Sequence, residues 1–207
     1  MKNMLKDAVI LLAITVIAGF VLGFVYDITK EPIAQAEAQA AREAYAEVFP
    51  GAADFVMIEE GMSQDEAFLA EWTEAGFEGV TVENVLNATD ESGNSLGYVL
   101  TVTSHEGYGG DITFTMGISA DGTLNGISIL SISETPGLGM NAEEVLKPQY
   151  AGKKVPNFTV VKTGAETESQ IDAISGATVT SEAVTTAVNG GLYYFQTQLG
   201  GGSYEAK

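Results

Sequence analysis

The chain has 207 residues, with 28 acids against 9 bases for a formal net charge of −19, no cysteine and a single histidine. That length allows one domain with a real core plus an additional segment. A surface this acidic repels phosphate backbones, which excludes nucleic acid as a partner. Without thiols there are no disulfides and no cysteine ligands for an iron–sulfur cluster, and one histidine cannot provide bis-histidine haem ligation.

Residues 8–25, "AVILLAITVIAGFVLGFV", contain no charge and only Thr15 as a polar side chain. As a helix they are just long enough to cross a hydrocarbon core. Lys2 and Lys6 precede the run and Asp27 follows it. The positive-inside bias therefore predicts a single-pass anchor in the cell (inner) membrane, with a cytoplasmic N-terminus and an extracytoplasmic main domain. A cleaved signal peptide is the competing reading, with "AQA" at 34–36 as a cleavage mimic. The apolar run exceeds a usual signal core, however, and Asp27, Lys30, Glu31 and Pro32 intervene. Ala18, Gly19 and Gly23 leave a surface where a partner helix can approach.

Pro32 is expected to end the anchor helix, and "AQAEAQAAREAYAEVF" (34–49) to form an Ala/Glu-rich connecting helix. Between residues 43 and 146 there are nineteen acids and no lysine or arginine. "SQDEAFLAEWTEAG" (63–76) reads as a short helix, with Ser63 and Glu66 at capping-box spacing, Gly76 as the stop, and Phe68 and Trp72 on one core-facing side. The period then changes from helix to strand. "VTVENVLNA" (80–88), "GYVLTVTS" (97–104), "DITFTMGIS" (111–119) and "TLNGISILSIS" (123–133) read as strands joined by "DESGNSLG" and the Asp121-Gly122 turn. The fold class is α+β: a transmembrane helix, then a mostly antiparallel sheet flanked by helices. The boundaries expected are an anchor at 1–30, a connecting helix and linker at 31–62, the outer domain at 63–199 and a disordered tail at 200–207.

Three stretches carry possible chemistry. His105, in "SHEGYGG", is the only residue that could serve as the base of a serine–histidine–aspartate triad, and a lone loop histidine is ordinarily a solvated side chain. "ETPGLG" (134–139) is a tight loop in which Pro136 fixes a torsion and Gly137 and Gly139 free their neighbours, so its amides stand exposed. "SGATVTS" (175–181) precedes a helix whose stripe is Val184, Val188, Leu192 and Phe195. Its four hydroxyls are either helix caps or, at the positive end of the helix dipole, partners of a phosphate.

"SGATVTS" resembles the attachment signature of the covalent FMN-binding domain, in which a flavin transferase esterifies the phosphate of FMN to the final threonine; here that position is Thr180. "ETPGLG" resembles the second hallmark of the same domain, the loop that packs on the isoalloxazine, and "GYGGDI" (107–112) its glycine-rich strand start. With the anchor ending in "FVYDITKEPI", the likeness spans nearly the whole chain and is greatest to the G subunit of the Rnf electron-transport complex. It implies FMN contacts from Glu134, Thr135, Gly137, Leu138 and Tyr108, and a phosphate and ribityl end lined by Ser175, Gly176, Ala177 and Thr178. Lys147, Lys153, Lys154 and Lys162 offset the flavin phosphate, dock a partner, or form a solvated basic face.

The function expected on this resemblance is an electron-carrier subunit of a membrane ferredoxin:NAD+ oxidoreductase coupled to Na+ or H+ translocation. Other membrane and peripheral subunits would be its partners. The chain has no Rossmann glycine pattern and no cysteine motif, so the ends of the reaction fall to those subunits. The alternatives are the C subunit of the Na+-translocating NADH:quinone oxidoreductase, a flavin-bearing extracytoplasmic sensor, and a cofactor-free binding domain.

Overall fold

The computed structural model describes residues 2–200, so the tail expected at 200–207 lies, from residue 201 on, outside the described residues. Two compact units divide the chain, Met1–Ala41 and Arg42–Lys207.

Helix α1 runs over Lys2–Val48, and its stretch of high hydropathy is fully exposed, with Leu11, Leu12, Phe20 and Leu22 all more than 60% accessible. Among the described residues it is the one helix long and apolar enough to cross a membrane. The helix does not end at Pro32, which sits inside it. Proline removes one intrahelical bond, but the Ala, Gln and Glu residues that follow are strong helix formers and carry the helix on.

In the second unit, five strands form an antiparallel meander in the order β1-β2-β3-β4-β5: Asp54–Glu60, Val80–Thr89, Ser95–Ser104, Ile112–Ser119 and Leu124–Ile132. The last four correspond to the four runs of alternating residues. Strand β1, "DFVMIEE", sits within the stretch expected to be linker; its exposed Val56, Met57 and Ile58 break the alternation that marks a strand, and a register shift falls between Met57 and Glu59. After β5 come a 3₁₀ turn at Gly139–Asn141 and two one-turn helices, α3 (Ala142–Val145) and α4 (Lys147–Tyr150). A parallel pair follows, β6 (Thr159–Val161) with β7 (Gln170–Asp172), and then α5 (Thr178–Gln198). Helix α2 (Glu66–Glu74) lies between β1 and β2 in the chain.

Helix α5 packs across β2, β3 and β4. It is buried over far more than the single stripe read from the sequence, because Tyr193, Tyr194, Gly190 and Gly191 are buried too. At Gly191 the helix lies so close to the sheet that a Cβ would collide with the Met116 sulfur. Helix α2 closes this core with Phe68 and Trp72, whose rings meet Phe77, Tyr193 and Tyr194. Its N-cap is Asp65, which accepts from the amides of Ala67 and Phe68, rather than Ser63. An aspartate carboxylate two residues nearer the helix outcompetes the serine hydroxyl for the same orphan donors. On the opposite side Val48 and Phe49 pack with Leu86, Ala88 and Val99.

The end of α1 is tied down by side chains. Lys147 Nζ bonds Glu47 at 2.7 Å and Glu143 at 3.1 Å, while the Ser128 hydroxyl donates to Glu47 and Asn125 donates to the Val48 carbonyl. The Lys147 and Ser128 hydrogen bonds hold the Glu47 carboxyl below its usual range. Burial works against the Lys147 charge, but its bonds to Glu47 and Glu143 outweigh that and raise its pKa.

Trp72 is 2% exposed and its indole N–H donates to the Val80 carbonyl. Trp72→Ala is therefore expected to destabilise the second unit by about 3–5 kcal/mol in denaturant unfolding, the range for emptying a buried aromatic site. Glu47→Gln should cost less than about 1 kcal/mol near neutral pH, because the Glu47 side chain is half exposed. A carboxyl with a lowered folded pKa stabilises above its unfolded pKa. The difference between variant and wild type should therefore shrink as pH falls through the folded value, which pH-dependent urea midpoints would follow.

Candidate functional site: a cleft between the β5 loop and the start of α5

β5 delivers the chain directly into "ETPGLG", and the β7 segment delivers it into "SGATVTS"; the two loops meet at Gly139. A Cβ there would lie 2.6 Å from Thr180 Oγ1, 2.7 Å from Glu134 Cβ and 2.9 Å from Glu134 Cγ. Gly139 is buried, and only a residue without a side chain lets these segments touch. A second contact joins Gly176, at φ +78°, to Leu138 Cδ2, 3.2 Å from where its Cβ would be.

Between the two loops lies a cleft of about 560 Å³, lined by Tyr108, Glu134, Thr135, Leu138, Gly139, Gly176, Ala177, Thr178, Val179 and Thr180. Eight of the ten residues named from the sequence line it. Gly137 does not: it is an exposed turn residue at φ +76°, and its carbonyl accepts from Asn141 Nδ2. Ser175 is exposed and also lies off the lining. Two lining residues go beyond the sequence reading. Val179 is the variable position of the motif and carries no signal. Gly139 sits within the quoted loop, but its role as a contact glycine is visible only in three dimensions.

None of the four hydroxyls caps the helix. The position preceding α5 is Ala177, and no side chain caps the helix. Ser181, fully buried, faces the other way: its Oγ accepts from the Ile174 amide and donates to the Ala177 carbonyl, fixing the loop against the helix. Its amide makes the first intrahelical bond, to the Ala177 carbonyl. The amides of Thr178, Val179 and Thr180 therefore precede the hydrogen-bonded ladder, and the first turn holds no acid. Free amides and the positive end of the dipole suit an anion. Thr180 is 1% exposed, with its hydroxyl directed at the Gly139 contact.

The other wall is mixed. Glu134 is 7% exposed, and its Oε1 is buried without a hydrogen-bond partner. Leu138 and Tyr108 present apolar surface, Tyr108 at 74% exposure. No lysine or arginine is in the lining. Lys147 is occupied by Glu47 and Glu143, Lys154 lies 3.7 Å from Asp121, and Lys153 sits over the Phe158 ring, so the basic cluster read from the sequence does not line the cleft. His105 is likewise outside the lining, paired with Thr81 and Asp111 rather than with a serine nucleophile.

The FMN-binding domain description matches residues 107–192, the stretch that contains every lining residue, and the RnfG N-terminal region description matches residues 1–48. The G subunit of the Na+-translocating ferredoxin:NAD+ oxidoreductase complex of Acetobacterium woodii is 34% identical over 94% of this chain and 93% of its own length. This chain belongs to the family of Rnf G subunits. The G subunit of the ion-translocating oxidoreductase complex of Methanosarcina acetivorans is 31% identical over 96% of this chain and 98% of that protein. Among solved structures, Shewanella oneidensis NqrC matches with a TM-score of 0.48 at 21% identity, covering 72% of this chain and 70% of that one.

The cleft fits FMN on its own geometry. Its volume lies within the range of cofactor pockets, the capless helix start suits a phosphate, the unpartnered Glu134 oxygen suits a polar ring edge, and Leu138 suits a planar apolar face. Gly139→Ala tests the contact that builds it. The added methyl must displace Thr180 or Glu134, and overpacking of this kind should destabilise by about 1–3 kcal/mol in thermal or urea unfolding.

Proposed function

We propose that this chain carries FMN as a phosphodiester on Thr180 and relays electrons within an ion-translocating ferredoxin:NAD+ oxidoreductase complex. The observation that carries the reading is the convergence of Thr180 Oγ1, an uncapped helix start and the Glu134–Leu138 loop on one cleft. Bound FMN supplies reversible uptake and release of electrons, which no side chain of this protein provides.

The residues divide the work of holding it. The amides at the start of α5, with Ala177 and Thr178, receive the phosphate; Glu134 and Thr135 meet polar edges of the ring system; Leu138 and Tyr108 meet its faces. Gly137 and Ser175 support the turns from outside the cleft. In forming the ester, Thr180 Oγ1 bonds to the FMN phosphorus of a flavin phosphoanhydride held by the transferase. The anhydride P–O bond breaks, and the released phosphate group leaves with the threonine proton, so the chain gains one FMN less one water. A threonine hydroxyl has no useful acidity, which is why a flavin transferase belongs among the partners, beside the other subunits.

Electrostatics favour the covalent link. Free FMN would bring a dianionic phosphate into a domain of large negative charge, against a lining without cations. A diester carries one negative charge fewer and cannot dissociate. That matters on the extracytoplasmic side, where no cytoplasmic pool would refill an empty site. Lys2 and Lys6 ahead of the apolar run support that orientation.

The full-length matches to G subunits of this kind favour this complex over the Na+-translocating NADH:quinone oxidoreductase. In a complex purified with Thr180→Val in place of wild type, the subunit should still assemble, while ferredoxin-dependent NAD+ reduction should drop to background. Full activity in an assembled Thr180→Val complex would remove this flavin from the electron path.

A further inference from the structure

Strands β3 and β4 pair as far as Ser104 with Ile112, so residues 105–111, "HEGYGGD", form the loop of that hairpin. The loop contains three glycines, and Tyr108, its one large aromatic side chain, is 74% exposed while lining the cleft. Apolar burial therefore does little to hold it, and a glycine-rich loop loses much entropy when fixed. What holds it is polar. His105 is the first residue of the loop and Asp111 the last, with His105 Nδ1 3.1 Å from Asp111 Oδ1. On the other side of the ring, Nε2 lies 3.0 Å from Thr81 Oγ1 on β2, and the His105 amide donates to the Gly79 carbonyl at 2.8 Å. A carboxylate only accepts, so Nδ1 carries a proton toward Asp111, and Nε2 shares a hydrogen bond with the threonine hydroxyl.

Beyond this tie the loop is pressed onto the cleft wall. A Cβ at Gly109 would collide with the Ser133 carbonyl oxygen, and one at Gly107 would lie 3.0 Å from Glu134 Oε1, the unpartnered oxygen of the cleft. The Glu106 side chain lies over Gly79, leaving no space there for a Cβ. We propose that His105 is a positioning residue for the flavin cleft, its imidazole closing the 105–111 loop between Thr81 and Asp111 so that Tyr108 stands at the ring and Gly107 against Glu134. The proposal rests on the FMN reading above. His105 itself lies just ahead of the matched FMN-binding region, which begins at residue 107.

The test uses the full flavin-bearing chain and four variants: His105→Ala, Asp111→Ala, the double variant, and Asp111→Asn, which keeps an Oδ1 acceptor. Two quantities are read: amide hydrogen exchange of residues 105–111, and acrylamide quenching of flavin fluorescence. Loss of one net hydrogen bond should raise both by about two- to tenfold. His105→Ala removes the bonds to both Asp111 and Thr81, so the double variant should match His105→Ala, with Asp111→Ala the milder single and Asp111→Asn close to wild type. Unchanged loop exchange in His105→Ala overturns the tie itself. Faster exchange with unchanged quenching also overturns the proposal, since the tie would then serve only the hairpin. A wild-type chain without flavin removes the positioning role together with the functional reading, and the exchange data still report on the tie.

Discussion

The contact made by the bare Cα of Gly139 is the constraint on which the site depends. It allows Thr180, at the start of the longest helix of the second unit, to meet Glu134, just past the last strand of the sheet. The helix is fixed by its own burial across three strands, with Gly191 letting it settle onto Met116. The sheet fixes the loop, because β5 is held along its length by β4. The cleft is thus set between two rigid elements, and only its third wall, the Tyr108 loop, relies on side-chain ties.

Charge bears on the proposed manner of binding. Acids dominate the second unit, and three of its lysines are engaged elsewhere: Lys147 secures the end of α1, Lys154 faces the Asp121 turn, and Lys153 covers Phe158. The place proposed for the phosphate offers backbone amides at a helix start that no side chain caps. Dipolar amides favour a negative charge within the first turn without adding a full cation to the site. The covalent diester proposed here would complement such a site, since affinity would then not have to come from ion pairing.

Much of this is legible in the sequence, for identifiable reasons. Strands β2 to β5 are rich in β-branched residues, and the turns after β2 and β4 are closed by Asp90 and Asp121. The two motifs are visible because their glycines and hydroxyls have few other uses in such density. Four features are hidden. β1 exposes three consecutive apolar residues, which masks its period. Pro32 reads as a stop, but the residues beyond it propagate the helix. The N-cap of α2 falls to Asp65 because proximity and charge prevail over a motif spacing. Ser181 reads like a cap or a phosphate ligand, and only the fold shows its hydroxyl turned inward to Ile174 and Ala177.

The most direct measurement is the intact mass of the full chain, produced with an active flavin transferase, for wild type and Thr180→Val side by side. The account predicts an increment of one FMN less one water on the wild type, flavin fluorescence that survives denaturing electrophoresis, and neither in the variant. An unmodified wild-type chain beside a modified control substrate, or an increment that persists in Thr180→Val, would contradict the assignment of Thr180 and reduce SGATVTS to the start of a helix.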